Sequence, residues 1–260
     1  MNQRWRKGRS TFLPPGETIR TSEYDVAAIA GDGPAKAFVL THHYARTYPA
    51  ARLRFGLYHR GALAGVAVFA HPCNDRTVTN VFGGRAIDSV ELGRFVLPDS
   101  VAFNGETWFL ARCFRDLRSE GLAGVVSFSD PVARRAADGR LVEPGHVGTI
   151  YQAFGGVLLG RGTPRILRLL PDGQALSPRA LQKIVAGEQG WRYAAAQLER
   201  HGATPPPAER RQWLRQWLDR LTRPLRHPGN FKYAWGLRAS VIGALPRSQP
   251  YPKQGLQEAA

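Results

Sequence analysis

Stretches of apolar residues, each about as long as one strand, recur through the first two thirds of the chain. Turn residues follow them, and this pattern predicts strands. The predicted strands are residues 52–60, 62–71, 90–97, 122–130, 157–160 and 165–170. The first two are joined at Arg60-Gly61, which favours a hairpin. The polar segment 72–89 is predicted to be a loop with room for one short strand.

Helical spacing of apolar residues separates these strands and dominates the last third of the chain. The predicted helices are residues 34–47, 105–121, 145–156, 178 onward, 189–201 and 208–222. Asn104 is expected to cap the second helix, and Ser177 with Pro178 begins the fourth. An apolar stripe, which we assign to packing, runs along the last helix at Trp213, Leu214, Trp217, Leu218 and Leu221. The segment 227–238 is predicted to return to the sheet.

This order of elements predicts an α/β (α+β) fold with a mixed sheet, flanking helices and a C-terminal helical extension. It is similar to the topology of the Gcn5-related N-acetyltransferases, in which two adjacent central strands separate to admit an acyl carrier. Four regions are expected: an irregular basic arm (1–33), an acetyltransferase-like core (34–175), a helical extension that completes the domain (176–240) and a disordered tail (241–260).

Arginine and lysine outnumber aspartate and glutamate by 36 to 20, which gives a net charge of +16. Such an excess attracts polyanions. We favour nucleic acid over a membrane surface because no basic helix has a clean apolar face, although a solvated arginine-rich surface explains part of the excess. No apolar run approaches the ~18 residues of a membrane-spanning helix, and the start of the chain lacks a secretory signal. We therefore expect a cytoplasmic protein.

Polar and aromatic residues interrupt the apolar pattern in three places, and each is a candidate functional segment. In THHYARTY (41–48), His43 and Tyr44 offer a metal ligand or general base beside an aromatic surface, and on a helix His43 would share a face with Thr47. The alternative is a surface helix with a satisfied histidine.

The other two segments follow the central strands. In SFSDP (127–131), Asp130 ends a strand, where ligands of α/β sheets bind. It either orients an amine, ligates a metal or acts as a base, or it caps the next helix. In GHVGTIYQAFGG (145–156), Tyr151 occupies the position at which acetyltransferases often carry a tyrosine that protonates the leaving thiolate. The alternative is an aromatic core residue.

The glycine-rich loop that binds pyrophosphate in acetyltransferases is missing. The corresponding stretch is VAFNGETWF (101–109), and Glu106 stands where the phosphates would lie. Helix N-termini bind phosphate through free amides and the helix dipole, and a carboxylate there repels it. This stretch counts against coenzyme A binding of the usual kind, although the fold does not depend on it.

Six segments, in chain order, resemble the Mom family of phage DNA-modification proteins: HHYARTYP (42–49), ELGRFVL (91–97), NGETWFLARCF (104–114), VVSFSDP (125–131), GHVGTIYQAF (145–154) and HPGNFKY (227–233). The resemblance implies an acetyltransferase-like fold and conversion of adenine N6 in DNA to its carbamoylmethyl (acetamido) form, which protects phage DNA from restriction. It also implies a metal, with iron(II) expected, and an unidentified small-molecule donor, with acetyl-coenzyme A or a glycine-derived compound as candidates.

On this basis, we predict that the catalytic residues are His43, Tyr44, Asp130 and Tyr151, with His43 and Asp130 as metal ligands. Contacts with the small-molecule donor are predicted for Arg94, Asn104 and Gly105. Contacts with double-stranded DNA are predicted for Arg46, Tyr48, Arg52, Arg54, Arg134 and Arg135. Two rival hypotheses are an acyl-coenzyme A-dependent N-acetyltransferase that acts on RNA or protein amines, and a DNA-binding protein without enzymatic activity.

Overall fold

The computed structural model describes residues 2–6, 9–13 and 16–253. These residues form two compact units. Unit 1 comprises Met1–Pro131, His146–Arg161 and Asn230–Ala260, and unit 2 comprises Val132–Gly145 and Gly162–Gly229. Unit 2 is therefore built from two insertions into the chain of unit 1.

Unit 1 contains a hairpin and a seven-stranded mixed sheet. The hairpin strands are β1 (Asn2–Arg6) and β2 (Arg9–Leu13). The sheet strands are β3 (Tyr24–Ala28), β4 (Ala51–His59), β5 (Ala62–Ala70), β6 (Ser89–Val96), β7 (Gly124–Ser129), β10 (Val157–Arg161) and β14 (Phe231–Gly236). Their spatial order is β10-β14-β7-β6-β5-β4-β3. Every neighbouring pair is antiparallel except β6 and β7, which run parallel at the centre of the sheet.

The parallel strands β6 and β7 separate soon after they begin. They pair from Ser89 with Gly124 to Glu91 with Val126, whereas β6 continues to Val96 and β7 to Ser129. A bulge at the same place on β6 shifts its register against β5, between Val68 and Phe69. Bulges bend a strand and strengthen its twist. The sheet therefore opens at its centre, beyond Glu91, as the predicted topology requires.

The helices of unit 1 are α1 (Gly33–His42), α2 (Arg76–Phe82), α3 (Gly105–Ser119), α4 (Thr149–Ala153) and α8 (Ala239–Ala244). The longest, α3, buries Phe109, Leu110 and Phe114 in the largest apolar cluster, together with side chains of the central strands. Burial of one such side chain contributes roughly 1.5–3 kcal/mol to folding. This packing fixes α3 on one face of the sheet, while α1 and strand residues Val66 and Val68 share a separate cluster.

Unit 2 combines three helices with short strands. The helices are α5 (Pro178–Ala186), α6 (Trp191–Glu199) and α7 (Arg210–Leu221), and the strands are β8 (Arg134–Arg135), β9 (Leu141–Glu143), β11 (Arg165–Leu169), β12 (Ala175–Leu176) and β13 (Arg223–His227). As predicted, Ser177 caps α5, and its hydroxyl accepts a hydrogen bond of 3.0 Å from the amide of Ala180. Trp213 and Leu214 of the predicted stripe are buried in the apolar cluster of this unit.

Several predicted boundaries differ from the structure. Residues 24–28 of the predicted arm are an edge strand, and residues 76–82 of the predicted loop are a helix. The predicted core, 34–175, includes the first parts of unit 2, whereas β14 returns to the sheet of unit 1 as predicted.

Part of the predicted disordered tail is ordered. The amide of Gln249 donates a hydrogen bond of 3.0 Å to the carbonyl of Leu158, and the Tyr251 hydroxyl donates one of 2.8 Å to that of Gly156. Residues 254–260 of this tail lie outside the described residues. Within the described part of the chain, no helix has the length and hydropathy needed to cross a bilayer.

Candidate functional site

The loop that follows α1 carries the first predicted site segment. The helix ends at His42, so the predicted continuation to residue 47 is wrong. His43 is extended, its Nδ1 accepts a hydrogen bond of 3.1 Å from the amide of Ala45, and Arg46 has a φ of 45°. A side chain that bonds the local backbone competes with helical hydrogen bonds. His43 and Thr47 therefore do not share a helical face.

Arg94 fastens this loop to β6. Its Nε donates a hydrogen bond of 2.9 Å to the carbonyl of Thr47, and its terminal nitrogens bond to the Thr47 hydroxyl and to the carbonyl of Gly93. Hydrogen bonds from a charged donor contribute more than neutral ones, roughly 1.5–3 kcal/mol each. Arg94 thus holds the loop in place, and its predicted contact with a donor molecule remains a prediction.

The structure brings three predicted site residues together at the opening of the sheet. The hydroxyl of Tyr44 lies 3.0 Å from Nε2 of His146. The amide of His146 donates a hydrogen bond of 2.7 Å to the carbonyl of Asp130, directly beyond β7. The ring of His43 stacks beside that of Tyr44, with 4.3 Å between centroids. The loop after α1 and the segment that precedes α4 therefore meet through Tyr44 and His146.

Tyr151 lies on α4, next to these groups. Its ring centroid is 6.4 Å from that of His146, 5.5 Å from that of Tyr233 and 5.7 Å from that of Trp235. Its hydroxyl is hydrogen-bonded to Ser127, whose own hydroxyl donates 2.9 Å to the carbonyl of Leu92. Ser127 and Leu92 are the first residues of β7 and β6 beyond the last paired positions. Tyr151 therefore reaches the point where the two strands separate.

Burial keeps both histidines neutral near pH 7. It lowers the pKa of His43 to about 3, with further contributions from Arg94 and His146. It lowers the pKa of His146 to about 4, although Asp130 acts in the opposite direction. Because Nδ1 of His43 accepts the Ala45 amide, its neutral ring carries the proton on Nε2. His43 is therefore a hydrogen-bond donor toward its surroundings.

Tyr151 is held in its protonated form. Burial raises the pKa of its phenol, and Glu91 acts in the same direction, while the bond to Ser127 and the charge of Arg94 oppose them. A protonated phenol donates hydrogen bonds and can give up its proton when negative charge develops nearby. This state fits the predicted role of Tyr151 as an acid.

Glu91 of β6 and Lys232 of β14 are charged strand residues that the sequence interpretation did not single out. Burial raises the pKa of Glu91, against the charges of Arg94 and Lys232. Burial lowers the pKa of Lys232, whose Nζ donates a hydrogen bond of 2.7 Å to the carbonyl of Thr77. The carboxylate of Glu91 makes no hydrogen bond or ion pair with another described residue, although its backbone is paired in the sheet. Its signal was a carboxylate inside the apolar strand VELGRFVL, where charged residues are rare.

The predicted iron site does not fit the observed geometry. Within residues 16–253, no three side chains of histidine, cysteine, aspartate or glutamate converge as metal ligands do. His43 presents a protonated Nε2, and its Nδ1 already accepts the Ala45 amide, so neither nitrogen is ready to ligate. Nε2 of His146 bonds to Tyr44. These residues give no basis for a step that passes through a metal.

The start of α3 does not fit the pyrophosphate of coenzyme A. Asn104 occupies the predicted cap position in the left-handed conformation, at a φ of 65°, but its side chain makes no capping bond. The amide of Gly105 bonds to the carbonyl of Ala102, and the Glu106 side chain is buried in the first turn. Helix-terminal phosphate sites need free amides and no competing carboxylate. The predicted donor contacts of Asn104 and Gly105 remain predictions.

The predicted DNA contacts are largely engaged within the protein. Arg54 forms an ion pair of 2.6 Å with Asp32, which also accepts a bond from the Tyr48 hydroxyl, and Arg52 bonds to the carbonyl of Ile87. In unit 2, Arg134 pairs with Glu143 at 2.8 Å, and Arg135 bonds to the carbonyl of Gly139. Arg46, by contrast, is exposed at the tip of its loop.

A mixed sheet whose central parallel strands separate, with polar and aromatic side chains at the opening, defines a Gcn5-related N-acetyltransferase-like α/β fold. Within this class, the chain belongs to the Mom protein family, whose model matches residues 23–213. No curated protein matches the chain.

Two of the solved structures that show some similarity to the chain are described as N-acetyltransferases. A GNAT family N-acetyltransferase from Escherichia coli, in complex with CoA, has 11% identity and a TM-score of 0.38, with 91% of each chain covered. An N-acetyltransferase from Staphylococcus aureus Mu50 has 9% identity and a TM-score of 0.39, with 83% of this chain and 99% of that one covered. Similarity at this level says nothing about what this chain binds.

Proposed function

We propose that the protein modifies the exocyclic N6 amine of adenine in double-stranded DNA and converts it to the carbamoylmethyl form. Membership of the Mom family supports this substrate. The observation that carries the proposal is the hydrogen bond between Tyr44 and His146 at the opening between β6 and β7. It places an aromatic surface and a neutral imidazole together, as an enzyme acting on a base requires.

The aromatic groups suit an extruded base. The N6 amine is paired inside duplex DNA, so an enzyme that reacts with it has to flip the nucleotide out of the stack. The rings of Tyr44 and Tyr151 flank the ring of His146, at centroid distances of 6.0 and 6.4 Å. Stacking of a base on an aromatic side chain contributes roughly 1–3 kcal/mol, which offsets much of the cost of extrusion.

The reaction requires one proton to leave N6. A new C–N bond forms at N6, the bond from the donor carbon to its leaving group breaks, and the leaving group takes that electron pair. We assign two acceptors for this proton. One is Nε2 of His146, in the tautomer that accepts the Tyr44 hydroxyl, with this hydroxyl passing the proton on from the amine; the other is the carboxylate of Glu91. Tyr151, held protonated by burial, supplies a proton to the leaving group.

His43 and Asp130 have positioning roles in this scheme. In this scheme, His43 carries its proton on Nε2, so it serves as a hydrogen-bond donor rather than as the base that the sequence suggested. The carbonyl of Asp130 holds the amide of His146, and the Asp130 carboxylate favours the protonated form of that imidazole. The Asp130 carboxylate thereby makes it more favourable for His146 to accept a proton.

An excess of cationic side chains provides affinity for DNA. The net charge of +16 attracts the phosphate backbone, and the exposed Arg46 lies in the same loop as Tyr44. The blocked start of α3 counts against the rival acyl-coenzyme A reaction on RNA or protein amines.

Mass spectrometry of nucleosides tests the proposal. DNA from cells that express the wild-type chain is digested and compared with DNA from cells that express the His146→Ala variant at equal level. We expect a heavier deoxyadenosine species with wild type and a loss of at least 100-fold with the variant. Unaltered deoxyadenosine with the wild-type chain, next to a modified standard, would overturn the proposal. Tight coenzyme A binding by calorimetry would support the rival instead.

A further inference from the structure

Unit 2 carries a disproportionate share of the positive charge. Its two segments contain fifteen arginines and lysines and seven aspartates and glutamates. The difference, +8, is half of the net charge of the chain, +16. Several of these cations are used internally, for instance Arg134 with Glu143 and Arg179 with Glu188. The remaining cations are unevenly distributed, and α7 is the richest element.

Two different faces of α7 have opposite character. One face buries Trp213 and Leu214 in the apolar cluster of unit 2. The other face is exposed, and its residues are Arg211, Gln212, Arg215, Gln216, Asp219 and Arg220. We refer to these six residues as the α7 basic face. No apolar side chain belongs to it.

The cations of the α7 basic face lack internal neutralisation. Arg211 and Arg215, one helical turn apart, have no ion-pair partner among the described residues. Asp219, one turn beyond Arg215, bonds to Arg168 at 3.5 Å. Arg220 rests over the ring of Trp217, 5.6 Å from its centroid. Like charges at this spacing destabilise a helix by a few tenths of a kcal/mol, and a bound polyanion would remove that cost.

We propose that the α7 basic face docks on double-stranded DNA. This inference rests on the proposed function and adds a second contact surface to it, outside the unit that holds the candidate active site. Arginine and glutamine are the side chains that bond guanine and adenine edges in the major groove, and arginine also binds phosphates. The twelve residues of α7 extend over about 18 Å, and the major groove accommodates a helix.

The same features argue against an anionic membrane. A helix that lies on a bilayer inserts an apolar face into it. The apolar face of α7 is already buried in the core of unit 2, and its exposed side chains are charged or amide. The α7 basic face is therefore built for a hydrated polyanion.

Binding of the full-length chain to a fluorescent 25-base-pair duplex tests this proposal, with salt as the variable. The test variant is R211Q/R215Q. The matched control is R115Q/R118Q, which removes two charges from the exposed side of α3 in unit 1. We expect R211Q/R215Q to weaken binding about tenfold at 0.15 M salt and to lower the salt slope by about 2, one for each lost phosphate contact. The control should change neither by more than about twofold.

Each outcome decides the matter. Equal affinities and salt slopes for R211Q/R215Q and wild type would overturn the docking proposal, and intact adenine modification would show that the proposed function stands without it. Weakened binding by R211Q/R215Q would support docking. If the DNA of cells that express the wild-type chain also stays unmodified, the proposed function would be overturned while docking stands. Arg211-dependent binding to phosphatidylglycerol vesicles, without binding to the duplex, would overturn docking on DNA. Unchanged thermal unfolding of R211Q/R215Q excludes misfolding as the cause.

Discussion

The hydroxyl of Tyr44 and Nε2 of His146 lie 3.0 Å apart, although 102 residues separate them in the chain. Tyr44 belongs to a loop that Arg94 ties to β6, and the amide of His146 is tied to Asp130, directly after β7. The bond therefore joins groups anchored to the two strands that separate. The geometry of the pair depends on both strands.

Removal of the Tyr44 hydroxyl should abolish most of the modification without unfolding the protein. In Tyr44→Phe, the ring remains for stacking, but the link between the amine and His146 is lost. We expect the ratio of modified to unmodified deoxyadenosine to fall by 10²-fold or more, and the free energy of unfolding by about 1 kcal/mol. Tyr58→Phe, which removes a hydroxyl without a hydrogen-bond partner among the described residues, is the control. Full modification by Tyr44→Phe would show that the hydroxyl takes no part.

Stability should fall as the pH is lowered from about 6.5 toward 4. Burial lowers the pKa of His146 from 6.5 to about 4, so in this window the unfolded chain binds a proton that the folded protein does not. Stability is therefore complete above pH 6.5 and is lost on acidification. Urea unfolding should show that wild type loses about 2 kcal/mol more than His146→Gln between pH 7 and 4.5.

His42→Gln is the control for this measurement. His42 is exposed on α1, and His42→Gln controls for the loss of an imidazole at a surface position. If the free energy of unfolding of His146→Gln depends on pH in the same way as that of the wild type, the imidazole of His146 is not held neutral by the fold. His43, whose pKa is lowered to about 3, extends the same loss to more acidic conditions.

Local patterns were sufficient for most elements of the sheet. The apolar runs that end at turn residues predicted β4, β5, β6 and β7, and Ser177-Pro178 predicted the start of α5. The division into units was not visible, because β10 and β11 look like one hairpin in the sequence. β10 joins β14 in the sheet of unit 1, and β11 pairs with β13 in unit 2. Long-range pairing decides this, and periodicity carries no information about it.

Residue types in the sequence indicated part of the candidate site, but the hydrogen bonds of the folded chain suggest different roles for some of its residues. Tyr44 and Tyr151 were chosen from the sequence, and both lie at the opening of the sheet. The bond from Ala45 to Nδ1 of His43 reverses the expected role of that histidine, and it depends on a loop where a helix was predicted. The sequence interpretation did not single out Glu91, because a single carboxylate in a strand is also typical of a surface position until the neighbouring strands are known.

Replacement of Glu91 by glutamine should raise the stability of the protein while it lowers the modification activity. Burial raises the pKa of this carboxyl, which means that the folded protein disfavours its charge at neutral pH. Glu91→Gln relieves that cost, so the thermal midpoint should rise by about 2–4 °C for each kcal/mol gained. If the carboxylate accepts the N6 proton, modification should fall by about 10²-fold in the same variant.

Glu120→Gln is the matched control for Glu91→Gln. Glu120 is exposed at the end of α3, so its replacement should change neither the thermal midpoint nor the modified fraction of deoxyadenosine. A Glu91→Gln variant that is more stable and fully active would remove Glu91 from the reaction and leave His146 as the acceptor. A less stable variant would contradict the electrostatic account of the site.

Gly148 and Gly155 provide a test of how closely Tyr151 has to be placed. Both residues have positive φ, 75° and 68°, so alanine at either position costs about 1 kcal/mol of backbone strain. A Cβ at 148 would lie 2.8 Å from the ring of Tyr233 and 2.9 Å from that of Tyr151, whereas a Cβ at 155 meets nothing within 4 Å. We expect the free energy of unfolding of Gly148→Ala, measured with urea, to be lower than that of Gly155→Ala by a further ~1–3 kcal/mol. We also expect Gly148→Ala to modify adenine at least tenfold less than Gly155→Ala, because the Tyr151 ring has to move. Equal stability and equal modification in the two variants would mean that the position of Tyr151 tolerates displacement, and its assignment as the acid would then be wrong.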